Sequence, residues 1–397
     1  GFAANEFSQI ISQVFESANI KIKNQFVFAG TDFRSQPFGQ SASGAVYFGN
    51  TDRFQIAIGN NTNADFTLPG SEVYTNDLNP QLTGSTPISA LNGGSGITPG
   101  SFTLTDRSGN SGTVTVNSGD TIGSLISNIN ALSGNVTASI NSQGSGLQLT
   151  DNSSVISQAL GVADVSGGST ALELGILGQR DGSISGSDLN PTITSATLVS
   201  DLNGGSGLTL NQIGIVNGSA SGTVTLSSAT TIGDVINQIN SSSFNVTASI
   251  NSSGNSLLVN SNSSSTTAIV KNVGTDETAE NLGLGGGKNV FTTLFKLKDA
   301  LNKNDTLAIL ASLENLDSSL ASINNNRAII GASLKRVDLT GYTLAQNIVD
   351  QTQQLSKLEE ADVVKSASDL ANLNFALQAT LSATAKVLQP TLLDFLR

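Results

Sequence analysis

Few residues in this chain are of a type and spacing that could do chemistry. The stretch "LGLGGGKN", Leu282 to Asn289, sets Gly287 beside Lys288 in the manner of a phosphate-cradling loop. That loop needs glycine at 282 and a hydroxyl residue at 289, where Leu and Asn stand. The stretch therefore reads as a flexible domain hinge. Paired carboxylates could hydrolyse a glycosidic bond, and Asp276/Glu277 and Glu359/Glu360 are the candidates. Each pair is adjacent in a charged stretch, and Lys357 lies about one helical turn before Glu360, so both read as solvated surface. Histidine, cysteine, methionine and tryptophan are absent. Their absence removes imidazole bases, thiol nucleophiles, disulfides and the common zinc and haem ligand sets. No catalytic, cofactor-binding or metal-ligating residue can be named, and the chain reads as a non-enzyme without a cofactor.

The bulk composition excludes further classes. Of 397 residues, 38% are hydrophobic, enough for real cores, while only 12% are charged. Soluble domains carry roughly 25% charged residues, so this surface is largely neutral and polar. A net charge of −12, with 18 Lys and Arg spread over the chain, lacks the basic stripe that nucleic acid or an anionic membrane demands. No apolar run reaches the roughly 18 residues of a membrane span, and no charged-then-apolar leader opens the chain. Several Asn-X-Ser/Thr sequons follow from the Ser/Thr/Asn bias and carry little weight as glycosylation sites. Because no methionine occurs, an N-terminal segment is expected to be missing from this sequence.

Three textures must position whatever the chain does. In the first, Phe7, Ile11, Val14 and Ala18 recur at three- and four-residue steps, which predicts a helix from Asn5 to Phe26. "FVFAGTDFRSQPF" then reads as a strand or turn, and residues 44–76 alternate as antiparallel strands do. The second texture is a duplication. "LNGGSG" at Leu91 and Leu202, "TIGSLISNIN" at Thr121 against "TIGDVINQIN" at Thr231, and "NVTASINS" at Asn135 and Asn245 repeat at an offset of 110 to 111. Each copy reads as strands with one short helix packed on them, and "LNGGSG" as a turn before a strand. The third texture is helical from near Val290. Leu313, Leu316, Leu320, Ile323, Ile330, Leu334 and Val337 keep heptad-like spacing, and the stripe resumes through Leu370, Leu377, Leu381 and Leu388. Pro390 is expected to end that helix, leaving Leu392, Leu393 and Phe395 in a last apolar turn.

The fold expected is multidomain: a long α-helical, coiled-coil-like bundle from the two chain ends, with inserted, duplicated β-rich (α+β) modules. Its segments are 1–40, an N-terminal helix and turn of the rod; 41–79, a β-hairpin region; 80–187 and 188–287, the two modules; and 288–397, the long C-terminal helices. At about 1.5 Å per residue the helix from Thr306 to Leu388 would measure roughly 120 Å, while the N-terminal helix covers about 33 Å of it. A bare amphipathic face is not a stable end state, so most of the stripe demands partners outside this sequence. Phe7, Ile11, Val14 and the seven residues from Leu313 to Val337 are assigned to rod packing. Leu370, Leu377, Leu381, Leu388, Leu392, Leu393 and Phe395 are assigned to subunit assembly.

The segment "KLEEADVVKSASDLANLNFALQATLSATAKVLQPTLLDFLR" resembles the C-terminal helix of the bacterial flagellin superfamily, and "NRAIIGASLKRVD" is similar to the helix segment that precedes it. The duplicated modules resemble the inserts of its outer domains. "FVFAGTDFRSQPF" and "LQPTLLDFLR" look most like the hook-associated protein 3 branch, which joins hook to filament, with roughly the first hundred residues of the family absent. The resemblance implies a structural subunit for motility, exported without a cleaved signal through the flagellar type III apparatus. It implies terminal helices that order into a coaxial coiled-coil tube outside the cell. Its partners would be itself as a homo-oligomeric ring, other axial proteins including hook-associated proteins and flagellin, and an export chaperone on the C-terminal helix. Major filament flagellin is one alternative. A surface adhesin or glycan-binding module on a helical mount is another, although the modules offer no tryptophan for sugar stacking.

Overall fold

The computed structural model describes residues 2–41, 44–59, 62–132 and 134–393, with side chains except at 2–3, 59, 62, 359–362 and 388–393. Helix α1, Phe2–Ala18, buries Ala4, Ile11 and Ala18 on one face at seven-residue steps. It stops well short of the expected Phe26. Strands β1 (Lys21–Ile22) and β2 (Gln25–Phe26) form a hairpin whose two turn residues, Lys23 and Asn24, both have positive φ, 49° and 64°. Two central residues at positive φ make the turn that matches strand twist, and this local geometry overrides helical propensity. Strands β3 (Phe38–Ser41) and β4 (Gly44–Tyr47) pair with Phe38 opposite Tyr47, and β5 (Gln55–Gly59) and β6 (Thr62–Asp65) form another hairpin. Helix α2, Gly70–Val73, passes so close to Phe38 that a Cβ on Gly70 would lie 2.5 Å from its ring.

The first repeat contains β7 (Gly100–Thr105), β8 (Ser111–Val116), α3 (Ile122–Leu132), β9 (Val136–Ile140), β10 (Leu147–Asp151), β11 (Leu160–Asp164), α4 (Thr170–Glu173), β12 (Gly178–Arg180) and β13 (Ser183–Ser185). These make two antiparallel sheets, ordered β12-β11-β7-β8 and β13-β10-β9. The second contains β14 (Gln212–Asn217), β15 (Ala220–Thr225), α5 (Ile232–Asn240), β16 (Val246–Ile250), β17 (Leu257–Ser261), β18 (Ile269–Lys271) and α6 (Thr278–Asn281), with sheets β15-β14-β18 and β16-β17. In each, the helix buries three residues, Ile122, Leu125 and Ile129 or Ile232, Val235 and Ile239. The asparagine closing each "TIG" motif explains itself here. Asn130 accepts from the Ala138 amide at 2.6 Å and donates to its carbonyl at 3.2 Å, and Asn240 does the same to Ala248. A side-chain amide thus continues the ladder at the edge of β9 and β16, satisfying backbone groups that burial would leave unpaired.

Helix α7, Val290–Lys303, starts where the Asn289 side chain accepts from the Thr292 amide at 3.0 Å and ends at Asn304, φ 53°. Helix α8 follows, Thr306–Leu393. Its first turns bury Ala308, Ala311, Ser312, Asn315 and Ser319. Ala308 and Ala311 pack with Ile269 of β18, and the Asn315 amide donates to the Val270 carbonyl at 2.8 Å. The stretch 282–289 is therefore not a flexible hinge. Leu282 and Leu284 lie in the core of the second module, and a Cβ on Gly285 would meet the Val270 carbonyl at 1.9 Å. Its glycines permit close packing instead. Helix α8 also continues through Pro390 to Leu393. A proline so near the end removes one ladder hydrogen bond and need not break the helix.

Residues 1–56 and 65–331 form one compact unit, and 57–64 with 332–397 a second.

Candidate assembly interface

Within the first unit, α1, α7 and the start of α8 gather apolar side chains. Phe7, Ile11 and Val14 cluster with Val290, Leu294, Leu316 and Ile323. Beside them Phe15 and Phe291 lie 4.3 Å apart between centroids, and Phe291 also meets Phe38 at 5.3 Å and Tyr74 at 5.8 Å. Tyr47 closes this group, its hydroxyl donating to the Phe28 carbonyl at 2.9 Å, and burial pushes its pKa upward. Such ring pairs add about 0.5 to 1.5 kcal/mol each beyond area burial.

The heptad leucines divide. Ile330 and Val337 are half-buried, whereas Leu313, Leu320 and Leu334 are 45%, 59% and 46% exposed. The buried face of this part of α8 runs through Ser312, Asn315 and Ser319, one residue before Leu313, Leu316 and Leu320. One residue is about 100° of helical rotation, and small side chains there let the helix approach the β18 backbone closely. The larger side chains at 313 and 320 are thereby turned out of the chain's own core. Heptad spacing shows a stripe but does not say which neighbour is closest.

From Gly341 to Val387 every described residue is exposed. Leu344, Ile348, Leu355 and Leu358 are 55 to 67% exposed, and Leu370, Leu377 and Leu381 are 62%, 59% and 61%. The side chains of Leu388, Leu392 and Leu393, and the whole of Phe395, lie outside the described residues. The sequence reading omitted Leu373, Phe375 and Val387, which are 68%, 76% and 69% exposed. It also omitted Asn374 and Thr384. Those two continue the alternating three- and four-residue steps Val363, Ala367, Leu370, Asn374, Leu377, Leu381, Thr384, Leu388. Steps of this kind place all eight on one seam, where a polar residue can fix register against a partner.

The threonine hydroxyls on this stretch are bonded to their own helix. Thr384 donates to the Thr380 carbonyl at 2.8 Å, and Thr380 donates to that of Ala376. Hydroxyls bonded to their own helix can leave water without losing a partner. No charged residue lies between Asp369 and Lys386. From Gly341 to Val387 the helix is about 70 Å long, yet helices are stabilised mainly by packing an apolar face, which here is bare.

Elsewhere the polar clusters are internally paired. A groove of about 860 Å³ is lined by Arg53, Glu72, Asp77, Glu280 and Lys288. Arg53 bonds Glu72 at 2.6 Å and Asp65 at 2.8 Å, and Lys288 donates to Asn281. Among the described residues no group of three or more His, Cys, Asp or Glu could hold a metal ion, and no helix is long and apolar enough to cross a membrane.

The chain is similar to known proteins both in its modules and along α8. Residues 313–396 match the bacterial flagellin C-terminal helical region, and residues 101–153 and 207–263 each match the flagellin hook IN motif. The chain is flagellin-like in its C-terminal helix and in both modules. In this flagellin-type structural protein the two hook IN matches fall on the two modules, and the helical match contains the entire bare stretch of α8. Similar solved structures include a flagellar hook associated protein-3 from Legionella pneumophila, at 15% identity and a TM-score of 0.30 over 90% of this chain and 81% of that one. Xanthomonas campestris FlgL is similar at 16% identity and a TM-score of 0.30, over 89% of this chain and 81% of that one. No curated protein sequence matches.

Proposed function

We propose that this chain is a non-catalytic subunit of the extracellular bacterial flagellum that joins hook to filament, assembling by burial of its long C-terminal helix against neighbouring subunits. The observation that carries the proposal is the bare stretch from Gly341 to Val387, inside the region matched to flagellin C-terminal helices. Each fully buried Leu or Phe contributes about 1.5 to 3 kcal/mol, so covering Leu370, Leu377 and Leu381 alone supplies several kcal/mol for polymerisation. Segments 1–40 and 288–397 act as the rod, and the modules at 80–187 and 188–287 as outward decoration. The same bare helix is the segment an export chaperone would cover before secretion. What favours the junction over the filament is the resemblance of the stretch following α1 to the hook-associated branch.

Two measurements test the proposal. Deleting residues 388–397 should leave the unit of residues 1–56 and 65–331 folded while abolishing incorporation into flagella; normal incorporation would overturn assembly through the helix. An antibody to the modules should label one zone between hook and filament, whereas label along the whole shaft would make the chain a filament flagellin.

A further inference from the structure

The two modules are not closed independently. The tetrapeptide "DLNP" occurs at Asp77–Pro80 and again at Asp188–Pro191, 111 residues apart, just ahead of each "LNGGSG". Each copy starts an Asx turn of the same form: the Asn79 amide donates to Asp77 at 2.8 Å, and the Asn190 amide to Asp188 at 2.7 Å. The strap opening the first copy docks on the second. Leu78 is in the core of the second module, its amide donates to the Asn255 carbonyl at 2.9 Å, and its carbonyl accepts from the Asn203 amide at 2.8 Å. The strap opening the second copy docks on the first in the same way. Leu189 is in the core of the first module, its amide donates to the Ser145 carbonyl at 2.9 Å, and its carbonyl accepts from the Asn92 amide at 2.6 Å. Four residues on, each strap returns to its own copy. The Leu82 amide donates to the Gly144 carbonyl and the Ile193 amide to the Gly254 carbonyl, both at 2.7 Å.

We infer that the groove between the "LNGGSG" turn and the 141–147 or 251–257 loop is a docking site for the Asp-Leu-Asn-Pro strap of another copy, so that the modules are a strap-exchanged dimer fused in one chain. A chain carrying one copy will then dimerise by the same exchange. The geometry resists the alternative, in which a lone copy closes on itself. In the second module the two docked amides, Leu78 and Ile193, reach the adjacent carbonyls Asn255 and Gly254, and they come from different straps. A single strap would have to bring residues 189 and 193 to neighbouring carbonyls through a link containing Pro191. Proline fixes its own φ and restricts the residue before it, and a short stiff hinge of this kind favours exchange between chains over closure within one. The glycines fit the reading. At Gly205 a Cβ would lie 2.2 Å from Gln81 of the other copy's strap, and at Gly94 one would lie 3.5 Å from Thr192, the residue equivalent to Gln81.

The test removes one copy from the otherwise full chain by deleting residues 77–187, which joins Asn76 to Asp188 and keeps one complete strap and module. Sedimentation is run at concentrations where the parent is monomeric. The expected result is twice the monomer mass, lost on adding Leu189→Asp, with folding of the module by circular dichroism rising with chain concentration. Inserting four Gly/Ser residues after Pro191 should return the single-copy chain to a folded monomer. A folded monomer without that insertion overturns the inference, as does a chain that stays unfolded up to about 100 µM. In the parent, hydrogen exchange gives a crossed readout. Leu78→Ala should accelerate amides in 212–271 at least tenfold and those in 100–164 less than twofold, and Leu189→Ala should do the reverse. Acceleration confined to each strap's own copy overturns the inference independently.

Discussion

Helix α8 presents two surfaces of opposite composition, one in each unit. Between Thr306 and Asn326 its covered face is Ala308, Ala311, Ser312, Asn315 and Ser319, and the chain's own strands and glycine turn lie against it. Between Gly341 and Val387 the exposed residues include Leu344, Ile348, Leu355, Leu370, Leu377 and Leu381. Against β18 the covered residues of this helix are small, whereas from Gly341 onward its large apolar residues are exposed. Small residues line the face towards β18 because β18 and Gly285 approach α8 at backbone distance, leaving no room there for a large side chain, while Leu316 and Ile323 pack towards α1.

The largest effect is expected at the bare stretch. The double variant Leu370→Asp, Leu377→Asp should weaken self-association by about 100-fold or more, since two buried leucines contribute at least about 3 kcal/mol. Its melting temperature should stay at the parent's. A sedimentation series checks both, and unchanged association would mean the seam is not the contact. In the covered unit, Phe291→Ala removes a ring that touches Phe15, Phe38 and Tyr74 and should cost about 3 to 5 kcal/mol in urea unfolding. The sharpest contrast lies two residues apart. Ala311→Leu should cost about 1 to 3 kcal/mol by overpacking against Ile269. Leu313→Ala, at an exposed position, should change stability by less than about 0.5 kcal/mol. Equal effects from the two would erase the distinction between the faces.

The smallest effect concerns pH. Burial, and secondarily the nearby Asp188 carboxylate, raise the Asp77 pKa to about 6, against the opposing hydrogen bonds from Asn79 and Asn255. A carboxyl raised in the folded state contributes stability that is complete below about pH 4 and lost as pH rises through about 6. Asp77→Asn should therefore match the parent near pH 4 and melt higher than it at pH 7.5. A variant less stable at both would show that the ionised carboxylate is needed in place.

Much of the architecture was legible because it rests on period. The duplication at an offset of 110 to 111 residues and the helical stripe were visible in residue spacing, and each has a direct counterpart in the fold. What escaped were features fixed by tertiary approach. The end of α1 is set by two positive-φ residues that leave no mark in hydrophobic spacing. The rotation of α8 by one residue depends on what lies beside it. "DLNP" was present twice in the sequence, but only the hydrogen bonds from Leu78 to the second module and Leu189 to the first reveal the exchange. At the candidate interface, Phe375 and Asn374 were missed because a reading that follows leucines passes over an aromatic off the seam and an amide on it.

The run between Asp369 and Lys386 carries no charge. Salt weakens contacts between exposed charges separated by more than a screening length, which is about 8 Å at physiological ionic strength. A contact built on leucines, back-bonded threonines and the amides of Asn372, Asn374 and Gln378 offers salt no charge to screen. If subunits join through this stretch, that contact should change little between low and physiological ionic strength.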